Sequence, residues 1–283
     1  MTSKPLVAPG LYQAHAPGIY EMTDAEYFDL PYISKSSLDL IAKSPANYLY
    51  WKTQGDRPRS RAMELGSAAH CGILEPDDFE KRFVRNPGID RRTKAGKEQW
   101  DEFSFHNGDK TVLSPEDFDT CLRMIDAVQA HVMASALLRK GKAEQAILWT
   151  SEVDGLPSKG KADWLTEDII VDLKTSESAT VESFAKSIAN YRYEVQAAYY
   201  LDGIQRAVPH KRFNSFLFLV VESKPPYHVA VYAPDKHMLE AGRLLYERDL
   251  RRLANCLRTN EWPGLGETIQ EISMPTWAMK KGA

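Results

Sequence analysis

The chain has 283 residues, of which 43% are hydrophobic and 27% charged, and a formal net charge of -3, a composition that excludes disordered and fibrous proteins. No apolar run reaches the roughly 20 residues of a bilayer-spanning helix, and the N-terminus lacks a basic region followed by an apolar one, so we expect a soluble, cytoplasmic protein without membrane partners. Three widely spaced cysteines argue against a disulfide framework or a zinc knuckle, and the weakly acidic charge means that nucleic-acid binding would need local basic patches.

The first third of the chain predicts short helices. Residues 1–30 are rich in Pro, Gly and Tyr and predict an irregular segment with one short helix. The serines between Ser34 and Ser37 precede LDLIAKSP, which predicts an amphipathic helix ended by Pro45. We interpret the serines first as helix caps. The alternative is that this helix N-terminus receives a phosphate group.

A second helix, AMELGSAAHCGILEP, follows Arg57, Arg59 and Arg61. Its small residues would let a ligand or another backbone approach His70, although a lone histidine on such a face is more often a core residue. Residues 81–110 are polar and basic and predict a loop and one helix. The default interpretation of this charged run is a solvent-exposed face.

The middle of the chain changes from helix to strand. A helix begins at Ser114-Pro115 and continues at helical period to Gly141. Glu144 to Val153 has strand character, and two further strands follow in Ser158–Thr175, joined by the polar turn Thr166-Glu167-Asp168.

Three charged side chains lie in that second pair of strands. Asp163 is in the first strand, and Asp172 and Lys174 are in the second. Because alternate residues of a strand share a face, Asp172 and Lys174 project together while Leu173 points into the core. Placing such a charged cluster in an apolar hairpin costs free energy unless the charges bind a ligand.

The last third predicts two helices, two strands and one long helix. The helices cover Val181–Asn190 and Tyr193–Arg206, and the strands, FLFLVV and HVAVYA, are separated by Lys-Pro-Pro. The final helix runs from Pro234 to about Thr259, with Met238, Ala241, Leu245, Leu250, Leu253 and Leu257 on its apolar stripe. We predict one mixed α/β domain over residues 1–283, with its core at about 60–260 and an N-terminal helical elaboration.

The three charged residues suit phosphodiester hydrolysis. Mg²⁺ prefers carboxylate oxygens and water, and Asp163 and Asp172 on adjacent strands are suitable ligands. Lys174 could orient or deprotonate the attacking water and offset charge on phosphorus. Asp-x-Lys alone is a weak signal, because a surface turn is the default explanation.

The order of several separated segments is more specific. GSAAH, KGKADWL, IIVDLKT and YEVQAAYYLDG follow one another at spacings that resemble the PD-(D/E)XK nuclease superfamily, and more narrowly its RecB-type, RecE and lambda-type alkaline exonuclease branch. The resemblance covers most of the chain and implies a restriction-endonuclease-like core, a mixed central β-sheet flanked by helices. The proline of the superfamily name is replaced by Val171.

The resemblance also implies a site. His70, Asp163 and Asp172 would hold two Mg²⁺ ions, for which Mn²⁺ would substitute, with the carbonyl of Leu173 as a further ligand. Lys174 would activate the water. Gln196 and Tyr200 match a helix motif that supports the substrate or the lysine, and Ser36 matches a serine that receives a terminal 5′ phosphate. Glu144 and Glu152 lie near the hairpin without an assigned role.

By resemblance, the expected activity is a Mg²⁺-dependent 5′-to-3′ exonuclease on linear double-stranded DNA. It would release 5′-mononucleotides and leave 3′ overhangs for recombination by strand annealing, with a Red-beta/RecT-like single-strand annealing protein as partner in a phage or prophage system of a bacterial host. The family forms rings around DNA, with a trimer favoured here over a tetramer, and the clusters Arg57 to Arg61 and Arg82 to Lys97 are candidates for the channel lining.

Two alternatives remain. An endonuclease with the same core would cut closed circles. A catalytically silent DNA-binding ring component would need no site, and the complete set of Asp163, Asp172 and Lys174 counts against it.

Overall fold

The computed structural model of the protein describes residues 15–54, 60–153, 155–266 and 268–274. Its strands are β1 (Gly18–Glu21), β2 (Phe83–Arg85), β3 (Thr111–Leu113), β4 (Lys142–Thr150), β5 (Pro157–Leu165), β6 (Ile169–Ser176), β7 (Ser215–Glu222) and β8 (Val229–Tyr232). Its helices are α1 (Asp24–Asp29), α2 (Lys35–Lys43), α3 (Pro45–Gln54), α4 (Arg61–Leu74), α5 (Pro76–Arg82), α6 (Lys94–Asn107), α7 (Pro115–Ala130), α8 (Val132–Leu137), α9 (Val181–Tyr191), α10 (Tyr193–Ala207) and α11 (Lys236–Thr259).

Six strands form one mixed sheet in the order β1-β4-β5-β6-β7-β8. Only β6 and β7 are parallel, because α9 and α10 carry the chain back between them, and the other neighbours are antiparallel. The predicted fold class, a mixed sheet flanked by helices, is confirmed. The predicted order from β4 to α11 is also the observed one.

Helices cover both faces of the sheet. On β6, Ile170 belongs to the apolar core that includes residues of α2, α9, α10 and α11. Val171 and Leu173 belong to a second core with α4, α5, α7 and α8. Leu173 is fully buried, as predicted. By the alternation of the strand, Asp172 and Lys174 therefore face the side of α10.

Several boundaries differ from the sequence prediction. The segment predicted to be irregular contains β1, which pairs with β4, and the predicted loop after residue 81 contains β2. Pro45 does not only end α2; it also begins α3, since the first helical position needs no N–H donor. The helix predicted to continue to Gly141 is divided at His131, whose backbone is extended and whose Nδ1 caps α8.

Most of the predicted apolar stripe of α11 is confirmed, since Leu250 and Leu253 lie in the core and Met238, Leu245 and Leu257 pack against it. Ala241 is exposed, and Gly242, Tyr246, Leu250 and Leu253 are buried. At Gly242 a Cβ would lie 2.1 Å from the backbone oxygen of Glu194. Close packing of α10 on α11 therefore requires glycine at this position.

The cysteines Cys71, Cys121 and Cys256 are buried free thiols. Among the helices that the structure describes, none has the length and apolarity to cross a bilayer.

Candidate active site

The candidate active site lies where β5 and β6 separate. The two strands pair next to their turn, up to Trp164 opposite Val171. One residue further along, the Asp163 Oδ2 accepts a hydrogen bond from the Leu173 N–H at 2.8 Å. A side-chain carboxylate thus takes the place of a strand partner, and the gap between the strands holds acidic groups.

Asp172 occupies the other side of this gap and is 1% exposed. Its Oδ1 accepts a hydrogen bond from Gln196 Nε2 of α10 at 2.5 Å, and its Oδ2 is 2.6 Å from Lys174 Nζ. Burial alone would lower the pKa of Lys174, but the charges of Asp172 and Asp163 outweigh it and raise that pKa. The structure therefore brings Asp172, Lys174 and Gln196 together.

His70 approaches from the opposite face of the sheet. The neighbouring Ala68 and Ala69 are fully buried, so α4 lies close to β6, and His70 Nδ1 is 3.6 Å from Asp163 Oδ2. Burial, helped by the charge of Lys174, lowers the pKa of His70 to about 4. The imidazole is therefore neutral at neutral pH, which is the form that binds metals.

Glu144 completes this half of the site. The register of β4 and β5 places it opposite Asp163, and the ladder between these two strands skips only that position. Glu144 has a positive φ of 54°, a conformation unusual for a residue other than glycine. One ligand atom each from His70, Glu144 and Asp163 lie within 4.8 Å of one another. Among the described residues, this is the group that could hold a metal ion.

Lys161 holds Glu144 from the outer side. Its Nζ is 2.7 Å from Glu144 Oε2 and 2.6 Å from Asp24 Oδ1 of α1. Burial raises the pKa of Glu144 despite this ammonium group. Burial and the charge of Asp172 also raise the pKa of Asp163 well above its usual range. Acidic groups that resist ionisation in this way mark a site that a cation would stabilise.

The site thus contains a residue to which the sequence assigned no role. The resemblance implied His70, Asp163 and Asp172 as metal ligands with the Leu173 carbonyl, and the compact group instead combines His70 and Asp163 with Glu144. The sequence points to Glu144 only as an acidic residue in the strand before the hairpin. Glu152, the other acid without a role, is a 79% exposed partner of Arg206.

Gln196 and Tyr200 are one helical turn apart but do different things. Gln196 holds Asp172, whereas the Tyr200 ring packs on β5, where a Cβ at Gly160 would lie 2.9 Å from it. Burial raises the pKa of Tyr200 well above its usual range. Tyr200 therefore fixes α10 against the strand that carries Asp163.

Ser36 lies at the exposed N-terminus of α2. The capping interpretation holds for its neighbours, since Ser34 accepts from the Ser37 N–H and the two form a capping box. Ser36 is exposed, and its Oγ is 2.8 Å from Ser34 Oγ. Next to it, Lys35 Nζ is 5.8 Å from the centroid of the Tyr193 ring. Lys174 Nζ is 4.6 Å from the same centroid, so this helix end adjoins the candidate site.

Many arginines of the predicted channel lining have acidic or aromatic partners. The ion pairs are Arg61 with Asp117 at 2.8 Å, Arg82 with Glu75 at 3.1 Å, Arg85 with Asp119 at 2.9 Å and Arg92 with Asp90 at 2.8 Å. Arg91 lies 4.4 Å from the centroid of Trp100. The positive field of these clusters is weaker than the number of basic residues suggests. Arg57 and Arg59 lie outside the described residues.

Comparisons with known proteins agree with the fold described above. A family model described as "PDDEXK-like domain of unknown function (DUF3799)" matches residues 34–275. The crystal structure of an exonuclease candidate from Eubacterium rectale superposes with a TM-score of 0.61 at 14% identity, covering 93% of this chain and 100% of that chain. The superposition shows a shared fold, and at this identity it shows no more than that. A second structure, SSO0001, aligns over 70% of this chain and 87% of its own at 15% identity. Its TM-score of 0.30 is too low to indicate a shared fold. No protein with curated annotation matches the chain significantly.

Proposed function

The chain belongs to the family of PDDEXK-like domains, and from this premise we propose that it hydrolyses phosphodiester bonds of DNA with the help of divalent cations. The family and the fold support a nuclease. The observation that carries the proposal is the convergence, in one gap between β5 and β6, of a group suited to a metal ion with a buried acid–lysine pair.

The residues present fit a divalent cation. His70 offers a neutral imidazole, and Glu144 and Asp163 offer carboxylate oxygens. Buried acids this close repel one another unless a cation lies among them. We assign the first ion to these three residues and a second to Asp163, Asp172 and the carbonyl of Leu173. Mg²⁺ suits carboxylate ligands, and Mn²⁺ would substitute.

When bound, such ions lower the pKa of water and stabilise the charge that develops on phosphorus and on the leaving oxygen. Lys174 adds a fixed positive charge on the side of Asp172 and donates hydrogen bonds that orient the attacking water. Gln196 holds the Asp172 carboxylate in place. Tyr200 keeps the supporting helix against β5.

We further propose that the enzyme is an exonuclease that starts at 5′ ends of linear duplex DNA and releases 5′-mononucleotides. The support is the α2 N-terminus beside the site, where the exposed Ser36 hydroxyl and the helix dipole would receive a terminal phosphate. A ring of three chains and a Red-beta/RecT-like annealing protein that takes over the 3′ overhang belong to the same proposal. So does a role in phage recombination.

One experiment separates the modes of cleavage. The protein is incubated with 5′-labelled linear duplex and with closed circular duplex, in Mg²⁺, Mn²⁺ or EDTA. An exonuclease releases labelled mononucleotides from linear DNA and leaves circles intact. Equal degradation of circles would establish the endonuclease alternative, and absence of cleavage with either metal would leave only the silent DNA-binding alternative. Light scattering of the protein without DNA checks whether its mass is that of three chains.

A further inference from the structure

The corner between α9 and α10 has a fixed and unusual backbone. Arg192 joins the two helices in the left-handed conformation, at φ 56° and ψ 46°, which glycine adopts far more easily. Its guanidinium donates hydrogen bonds to the Leu38 carbonyl at 3.1 Å and to Asp39 at 3.2 Å. It also pairs with Asp249, which is fully buried. With these partners the side chain holds the corner in one geometry.

The corner displays two tyrosines. Tyr191 and Tyr193, on either side of Arg192, stack with their ring centroids 5.6 Å apart and an interplanar angle of 28°. The Tyr193 ring is anchored between Phe184 and Phe218, each with its centroid at 6.0 Å. Tyr191 is 61% exposed. One ring is therefore fixed, and the other presents a flat apolar surface to solvent.

This pair adjoins the candidate site. The Tyr193 ring contacts the ammonium group of Lys174, at 4.6 Å from the centroid. Lys35, next to Ser36, donates a hydrogen bond to the Tyr191 carbonyl at 2.6 Å. The tyrosines thus lie between the group proposed to stabilise the reacting phosphate and the helix end proposed to receive a terminal one.

We propose that Tyr191 is a stacking platform for the base of the terminal nucleotide, with Tyr193 as its support. This inference rests on the proposed nuclease function and adds a substrate contact to it. In a nucleotide the base lies one sugar away from its phosphate, so a terminal nucleotide with its 5′ phosphate at Ser36 and the reacting phosphate at Lys174 brings its base to this corner. Stacking does not read base edges, so it serves an enzyme that must accept any sequence.

The alternative for an exposed tyrosine is a packing role, which the contacts of Tyr191 do not favour. The ring has one stacked neighbour, and that neighbour is already anchored by two phenylalanines. A substitution at Tyr191 is therefore expected to leave the fold intact. This makes the residue suitable for a test, whereas a change at Tyr193 would also disturb the neighbourhood of Lys174.

The test compares a short duplex whose terminal nucleotide is intact with one whose terminal nucleotide lacks its base. The abasic site is placed at the 5′ end in one substrate and at the 3′ end in another, and kcat/KM is measured with Mg²⁺. We expect the wild type to prefer the intact over the abasic 5′ end by at least about fivefold, the lower range for a base–aromatic stack. In Tyr191→Ala this preference falls to about one, and Tyr191→Phe retains it.

Two controls keep the outcomes distinct. Tyr50→Ala removes another exposed tyrosine, 54% exposed on α3, and should keep the wild-type preference. Fluorescence of 2-aminopurine at the 5′ terminus, measured in EDTA, should be quenched by the wild type and by Tyr191→Phe but not by Tyr191→Ala. If the wild type cuts DNA and Tyr191→Ala discriminates equally well, the platform is wrong and the nuclease stands. If the wild type cuts no DNA with Mg²⁺ or Mn²⁺, the nuclease proposal fails, and this inference with it.

Discussion

The Asp163 carboxylate accepts the N–H of Leu173 at 2.8 Å at the point where β5 and β6 stop pairing. One side chain therefore both completes the backbone hydrogen bonding of β6 and points a carboxylate at His70 and Glu144. These two functions can be separated by substitution.

Asp163→Asn retains an oxygen that accepts the Leu173 N–H, so we expect a stability close to that of the wild type. Asp163→Ala leaves a buried donor without a partner and should lower the free energy of unfolding by about 1–3 kcal/mol relative to Asp163→Asn. Both variants should lose cleavage by at least about 100-fold, as when one electrostatic group of an active site is removed. Urea denaturation and mononucleotide release measure the two effects. Full cleavage by Asp163→Asn would show that the carboxylate is not needed.

Glu144 and Glu152 provide a matched pair of acids for the metal site. Glu144→Gln removes a carboxylate from the group around His70, and we expect the affinity for Mn²⁺ to fall by at least about tenfold, since a lost ligand costs no less than a lost supporting contact. Glu152→Gln alters an exposed ion pair with Arg206 and should not change it. Isothermal titration calorimetry measures both. Equal affinities of the two variants would remove Glu144 from the site.

Lys174→Ala should abolish cleavage while DNA binding remains largely intact, because the lysine pairs with Asp172 and on our proposal acts on a single phosphate of the duplex. Asp172→Ala should lose cleavage and also weaken metal binding. Filter binding with labelled duplex, metal titration and cleavage assays distinguish the two variants. Retention of full activity by Lys174→Ala would contradict the proposed chemistry.

Substitutions at Gln196 test whether its amide orients the Asp172 carboxylate. Gln196→Ala removes a hydrogen bond to a charged group, worth about 1.5–3 kcal/mol, so the cleavage rate should fall by about 10- to 100-fold. Gln196→Glu should be worse than Gln196→Ala, because it replaces the donor with a like charge beside Asp172. The comparison uses single-turnover rates at saturating DNA. A Glu variant faster than the Ala variant would show that the amide does not act as a donor to Asp172.

The affinity for Mn²⁺ should depend on pH through Asp163. Burial and the charge of Asp172 raise its pKa in the metal-free protein, and binding requires the ionised carboxylate, so a proton is released. Burial also raises the pKa of the Glu144 carboxyl, which belongs to the same group. Affinity therefore falls as the pH drops through these raised pKa values and becomes constant above both. His70, with its pKa lowered to about 4, is already neutral and adds no step at neutral pH. Calorimetry in buffers of different ionisation enthalpy counts the protons, and Asp163→Asn should release fewer of them than the wild type.

The sequence predicts the β5–β6 hairpin, and with it the shared face of Asp172 and Lys174, because alternation and a polar turn determine both. It does not predict that Glu144 faces Asp163. That contact depends on the register of β4 against β5, and a connection as long as theirs does not specify a register. The sequence does not predict β1, because a strand of four residues at a sheet edge is too short to show a clear hydrophobic alternation. Ion pairs such as Arg61 with Asp117, 56 residues apart, depend on the tertiary fold.

Lys161 connects Glu144 to Asp24, a residue that precedes the region matched by the family model, which begins at residue 34. β1, also before that boundary, covers the edge of β4. A shortened protein that began at the boundary would expose a strand edge prone to intermolecular pairing. It would also leave the lysine behind the site with one acid instead of two. We therefore expect the smallest stable unit of this fold to start upstream of the segment that the family model matches.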